Sequence, residues 1–314
     1  MQIEEAVSLQ PFNSFGLPSQ AARLVRIRSD SDVRRVVDHP ELGRAPKFIL
    51  GGGSNIVLTR DLAQCVLKIE VPGIRLVETR DDAWIVEAGA GERWHDVVAW
   101  TLAHDLPGLE NMALIPGTMG AAPVQNIGAY GLELKDRFES LDAVDLVTGR
   151  TVTLDGPMCR FDYRDSIFKQ ALAGKSVITR VRLRLPQPWM PVLGYLDVER
   201  RMHDSGNLSP DARQIFDWIC DIRRSKLPDP AVLGNAGSFF KNPVIGQDQA
   251  DALLQRFPAL PHYQAGPGKV KLAAGWLIPR RSAARDTWSS WSRTCNTSSD
   301  RKSSPWVLES KVFI

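Results

Sequence analysis

The chain has 314 residues, 43% of them hydrophobic and 24% charged, with a net charge of +3. That length supports two or three domains and a sizeable core, and so small a charge gives no reason to expect a nucleic-acid or membrane-surface partner. No apolar run is long enough to span a bilayer, Glu4 and Glu5 stand where a leader would be basic and then apolar, and Cys65, Cys159, Cys220 and Cys295 form no CxxC pair, so a cytoplasmic protein with neither a zinc site nor a disulfide framework is expected.

Residues 13–16 (Asn-Ser-Phe-Gly) read as a turn, and 23–27 alternate as a strand does. Ser31 and Asp32 offer an N-cap to a helix over 33–38. The apolar strand 47–50 runs into Gly51-Gly52-Gly53-Ser54-Asn55. Glycines after a strand can curl backbone N–H groups around an anion such as a pyrophosphate, or can simply turn a hairpin. There is no Gly-Lys-Ser/Thr and no GxGxxG spacing, which excludes a P-loop and a Rossmann fingerprint. Strands are expected at 66–71 and 84–91, and Trp94, Val97, Val98, Thr101 and Leu102 mark a helix over 94–103.

Residues 107–131 hold five glycines and three prolines among small side chains and follow neither regular period. A long ordered loop of little bulk can lie against a flat, extended ligand. The large apolar residues Ile115, Val124 and Ile127 argue against a flexible linker. At 159–169, Arg164 stands between Tyr163 and Asp165, held either toward an anion or in a surface ion pair with Asp162 or Asp165. Residues 177–185 alternate as a strand. Residues 209–224 form an amphipathic helix with Ser209 as N-cap and Ala212, Ile215, Phe216, Ile219 and Ile222 on one face, stopped by Lys226-Leu-Pro-Asp-Pro230.

Asn235-Ala-Gly-Ser-Phe-Phe-Lys-Asn-Pro243 places Ser238 between a glycine and two aromatic rings, with Lys241 close in sequence. The stretch reads as a serine held ready to hand a proton to a bound anion, or as a turn and a strand whose rings fill a core. A short helix is expected over 249–257 and a further unit from 269 to 278. After Ile278 the composition changes: 36 residues contain nine serines, three tryptophans and no glycine, with no visible period from 279 to 305. A change of reading frame just after Ile278 would yield such a composition.

The turn at 13–16, Gly51-Gly-Gly-Ser-Asn55, Gly108-Leu-Glu-Asn111, Ile115-Pro-Gly117, Gln125-Asn-Ile-Gly-Ala-Tyr-Gly131, Tyr163-Arg-Asp-Ser-Ile-Phe-Lys169, Lys226-Leu-Pro228 and Asn235-Ala-Gly-Ser-Phe-Phe-Lys-Asn-Pro243, in this order and spacing, resemble the UDP-N-acetylenolpyruvoylglucosamine reductase family over roughly residues 10 to 278. The resemblance implies an α+β fold: an FAD-binding region of the vanillyl-alcohol-oxidase/PCMH type in two subdomains, 1–70 and 71–226, and a smaller α+β substrate domain, 227–314, atypical or truncated after 278. It implies that Gly51, Gly52, Gly53, Ser54 and Asn55 cradle the flavin pyrophosphate, and that Ile115, Gly117, Gly120, Gln125, Asn126, Gly128, Ala129 and Tyr130 lie along the cofactor. Arg164, Ser238 and a C-terminal acid would be catalytic. Glu309 is the candidate for that acid, although an ungapped alignment puts Lys311 there. Tyr195 (the tyrosine-bearing loop of the type I class), Lys226, Asn235 and Lys241 would bind substrate. The implied activity is reduction of UDP-N-acetylglucosamine enolpyruvate by NADPH through FAD in peptidoglycan precursor synthesis, by a monomer. The alternative is a product of a disrupted frame that binds FAD but is catalytically impaired.

Overall fold

The computed structural model describes residues 1–235 and 240–277. Met1–Asn235 falls in one compact unit and the described residues from 240 to 277 in a second.

The first unit opens with β1 (Ile3–Ser8), β2 (Gln20–Ile27), α1 (Asp30–Asp38), β3 (Lys47–Leu50) and β4 (Leu62–Ile69), whose strands form one sheet in the order β1-β2-β4-β3. Period-two alternation gives this sheet two apolar faces. Leu24, Phe48, Leu50 and Val66 close a small core with Leu9 and Leu58. Val25, Ile27, Leu67 and Ile69 face the main core of the unit. β3 and β4 pair in parallel, so the glycine-rich stretch that follows β3 is not a hairpin turn.

Next come β5 (Ile74–Arg80), β6 (Ala83–Gly89), α2 (Trp94–Ala103), the two-residue strands β7 (Gly128–Ala129) and β8 (Leu132–Glu133), β9 (Phe138–Asp145), β10 (Thr151–Asp155), the single turn α3 (Gly156–Cys159) and β11 (Ser176–Pro186). The five long strands make an antiparallel sheet, order β10-β9-β11-β6-β5. Its inner face joins the main core through Val86, Ala88, Leu141, Ala143, Val181 and Leu183. α2 buries the five residues its periodicity predicts, Trp94, Val97, Val98, Thr101 and Leu102. The loop 107–131 is ordered by three short 3-10 turns, Glu110–Met112, Met119–Ala121 and Pro123–Gln125. The unit continues through α4 (Leu196–Ser205) and α5 (Ala212–Lys226). Cys65, Cys159 and Cys220 are buried free thiols in β4, α3 and α5.

Two helix starts differ from expectation. Ser29, not Ser31, caps α1: its backbone is extended and its hydroxyl accepts from the Asp32 N–H at 3.3 Å. Asp211, not Ser209, caps α5, accepting from the Gln214 N–H at 2.7 Å. In both cases the residue three positions before the bonded amide is the one whose oxygen reaches it, which sequence proximity alone does not select.

In the second unit, β12 (Val244–Gly246), α6 (Gln247–Arg256), β13 (His262–Gln264), β14 (Lys269–Leu272) and α7 (Ala274–Leu277) build a three-stranded antiparallel sheet with a helix, closed over Ala250, Leu260, Val270 and Leu272.

Candidate active site

An open cleft lies in the first unit, lined by Trp94, Ala90 and Ile178. Residues 51–55 form one wall, and Gly117, Thr118, Gly120 and Gln125 line it from the long loop. Backbone geometry demands small residues here. A Cβ on Gly52 would come within 3.1 Å of Gly117 Cα, one on Gly53 (φ +64°) within 1.9 Å of Phe12 O, and one on Gly120 within 2.6 Å of Ala90 Cβ. Asn55 Nδ2 donates to Gln125 Oε1 at 3.1 Å, tying the two walls together. Among the described residues, no protein acceptor takes the backbone N–H of Gly52, Gly53, Ser54 or Asn55. Successive amides left unmet in a tight loop form an anion-binding concavity. Two buried hydroxyls lining the cleft, Thr118 Oγ1 and Ser176 Oγ, also lack a hydrogen-bond partner, and orphaned buried hydroxyls point to a bound polar group.

A second cluster gathers around Arg164. The chain makes a tight reversal in which Asp162 and Asp165 exchange backbone hydrogen bonds of 3.1 Å. Arg164 sits at its tip in the left-handed region, φ +55°. The neighbouring carboxylates are engaged locally: Asp162 with the Tyr163 N–H at 2.7 Å, Asp165 with the Ser166 N–H at 2.9 Å and Gln170 at 2.8 Å. The Arg164 guanidinium donates to Gly128 O at 3.2 Å. Tyr130, also at positive φ (+47°), packs edge-on against Tyr195 with centroids 5.1 Å apart. Arg223 of α5 stands near enough to Tyr130 to act on its hydroxyl, and its buried Nε has no hydrogen-bond partner. Burial holds the Arg223 guanidinium below the usual arginine range, and the positive Arg164 acts in the same direction, while Tyr130 opposes both. Burial likewise raises Tyr130, with Arg223 opposing. A buried guanidinium whose charge is disfavoured by a second one nearby favours an anion between them.

The predicted residues therefore divide. Gly51, Gly52, Gly53, Ser54, Asn55, Gly117, Gly120 and Gln125 line the cleft. Gly128 and Tyr130 stand with Arg164, and Ala129 continues β7 between them. Ile115 packs against the main core. Asn126 is wholly buried, at φ +45°, and is a strut: it donates to Glu133 at 3.0 Å and to Asp162 O at 3.2 Å, and accepts from the Lys135 N–H at 3.0 Å. Lys226 closes α5 and pairs with Asp197 at 2.6 Å. The Asn235 amide donates to Pro228 O at 3.2 Å and Leu233 O at 2.9 Å, while its backbone N–H and C=O bond to Ser14. Lys241 belongs to the second unit. Ser238 and Glu309 lie outside the described residues. Sequence reasoning missed Thr118, Ser176 and Arg223. For Arg223 a signal existed, a charge one turn beyond Ile219 on the buried face of α5; for Ser176 there was none.

A family model described as FAD binding domain matches residues 21–155. FAD fits the cleft described above: unmet loop amides for a pyrophosphate, orphaned hydroxyls, and a wall too close for side chains. The UDP-N-acetylenolpyruvoylglucosamine reductase of Azoarcus sp. (strain BH72) is 54% identical over 282 residues, covering 88% of this chain and 81% of the relative. That of Burkholderia orbicola (strain MC0-3) is 53% identical over 286 residues, covering 88% and 82%. The crystal structure of the Thermus caldophilus UDP-N-acetylenolpyruvylglucosamine reductase shares the fold at a TM-score of 0.55 and 22% identity, over 77% of this chain and 76% of that one. The chain belongs to the UDP-N-acetylenolpyruvoylglucosamine reductase family and is an FAD-dependent oxidoreductase of α+β fold.

Proposed function

We propose that the chain reduces UDP-N-acetylglucosamine enolpyruvate to UDP-N-acetylmuramate in the cytoplasm, with NADPH as reductant, as a step of peptidoglycan precursor synthesis. The observation that supports this reading best is the pairing of Arg164 with Arg223 beside Tyr130 and Tyr195, a cationic site suited to a carboxylate-bearing anion. FAD, when bound, supplies hydride chemistry, from NADPH and then to the vinyl carbon farther from the carboxylate.

The protein's part is charge and protons. Hydride arrival leaves negative charge beside the substrate carboxylate. Arg164 is held by the reversal at 162–165 and can meet that charge without reorganising. Ser238 gives its hydroxyl proton to the carbon bearing the carboxylate, and Glu309, protonated, assists as a donor. Tyr195 closes over the diphosphate. Lys226, Asn235 and Lys241 bind phosphate or orient the site. Lys226 takes a phosphate by exchanging its Asp197 carboxylate for one.

Ser238→Ala tests the proton donor. Flavin reduction by NADPH in stopped flow should survive, while turnover falls by about 10²–10⁴-fold, the range for a lost general acid. Full turnover would remove Ser238 from that role. The composition after Ile278 supports a second reading, a protein that binds FAD without reducing the enolpyruvyl group. Purified yellow protein that oxidises no NADPH when given the enolpyruvyl substrate would establish it, and the nucleotide sequence around codon 278, read in all three frames, would explain it.

A further inference from the structure

The lysine behind the glycine-rich loop has no part in the proposed reaction. Lys68 of β4 stands opposite Leu50 of β3 in the parallel register. Its neighbours Leu67 and Ile69 face the main core, so alternation turns Lys68 to the other face, where its Nζ lies 5.6 Å from the centre of the Phe12 ring. That Nζ donates to Gly51 O at 2.5 Å. Arg26 lies over the same ring at 5.6 Å, but it is paired with Glu4 at 2.8 Å and Glu70 at 2.6 Å. Among the described residues no carboxylate lies within 4.0 Å of Lys68. Burial lowers its pKa, an effect Glu70 opposes and Arg26 reinforces. A half-buried cation with a carbonyl for its partner and no counter-ion is costly to keep.

Its position says what it does. In a trans peptide the C=O of one residue and the N–H of the next point in opposite directions. Lys68 draws Gly51 O away from the cleft that Gly51 and Gly52 line, which turns the Gly52 N–H toward it. Two residues on, the Ser14 N–H holds Gly53 O at 3.1 Å, which does the same for the Ser54 N–H. The loop's unmet amides are thus set from behind by the turn at 12–14 and by one ammonium.

We propose that Lys68 is a positioning residue for the flavin pyrophosphate, fixing the Gly51–Gly52 peptide with its N–H toward the anion and placing beneath the loop a positive charge that no carboxylate contacts. The inference rests on residues 51–55 being the pyrophosphate cradle. The test is titration of flavin-free protein by fluorescence with FAD and with riboflavin, which lacks the phosphates, for Lys68→Met, Lys68→Arg and Gly52→Ala. Lys68→Met is expected to weaken FAD about ten- to a hundredfold and leave riboflavin within about twofold, with the melting temperature of the flavin-free protein within a few degrees of wild type. Lys68→Arg, keeping charge and donor, should recover FAD binding to within about threefold. Wild-type FAD affinity in Lys68→Met overturns the proposal. So does equal weakening of FAD and riboflavin, failure of Lys68→Arg to recover, or loss of folding in the flavin-free Lys68→Met protein, each of which makes the lysine a packing element. Gly52→Ala separates the two ideas: undiminished FAD binding there refutes the cradle itself, whereas loss there with none in Lys68→Met refutes only the role of the lysine.

Discussion

Arg223 and Arg164 meet the same requirement from different backbones. Arg223 projects from a helix whose other residues at that face are Ile215, Ile219 and Ile222, and its Nε is left without a partner. Arg164 is held by a reversal that puts a non-glycine residue at φ +55°, a conformation that costs energy and persists where the surroundings impose it. Replacing Arg223 by Met should lower kcat/KM for the enolpyruvyl substrate by about 10–100-fold, the value of a charge-assisted hydrogen bond of roughly 1.5–3 kcal/mol. Reduction of the flavin by NADPH gives the comparison, since a fall only in the second half-reaction ties the residue to the substrate carboxylate. Arg223→Lys should recover little, because a single ammonium lacks the two parallel donors with which a guanidinium grips a carboxylate. The sequence singled out Arg164, because charge and aromatics alternate around it. It hid Arg223, because a helix pattern is read for its apolar stripe and the one cation on that stripe looks like an interruption.

At the level of elements, the antiparallel sheet carries a charge ladder across three adjacent strands. Arg182 of β11 lies between Glu87 of β6 at 2.9 Å and Asp142 of β9 at 2.5 Å, and both carboxylates are buried. Arg182→Met would leave the buried Asp142 without its paired cation, while Glu87 keeps Arg75 at 2.7 Å, a loss of about 3–5 kcal/mol measurable by urea denaturation. Burial raises the Asp142 pKa, but the Arg182 and Thr153 hydrogen bonds outweigh it and the net shift is downward. The sign for stability follows. Asp142 contributes fully above the carboxylate's unfolded pKa, and the contribution disappears as pH falls through the depressed folded value. The acid limb of a stability–pH curve should therefore flatten in Asp142→Asn. Elements with one buried face were legible, as α2 and β11 show. β5 was not, because Ile74–Arg80 is an edge strand with almost every side chain partly or fully exposed, including Leu76 and Val77, so no alternation marks it. The loop 107–131 was legible as ordered but not as 3-10 turns, whose bonds depend on backbone angles such as the φ of Leu114 and Asn126 that composition does not encode.

For the molecule as a whole, the cleft joins residues from the first sheet, the long loop and β11, so a ligand there links parts of the first unit far apart in sequence. At a hundredfold excess over its dissociation constant, FAD should add about 2.7 kcal/mol to unfolding of the first unit. A denaturant titration with and without FAD checks this, and an unchanged midpoint would mean that flavin binding does not depend on the folded unit. The buried thiols offer a finer view. Cys65, Cys159 and Cys220 lie in β4, α3 and α5, at widely separated points in the chain. Burial raises all three, Cys159 to about 12. A thiolate is the species that alkylating reagents capture, so each cysteine is silent until its own element opens. Pulsed alkylation read by peptide mass would turn them into three independent clocks. FAD should slow the clock at Cys65, three residues from Lys68 in β4, and slow those at Cys159 and Cys220 only as far as their elements open together with β4.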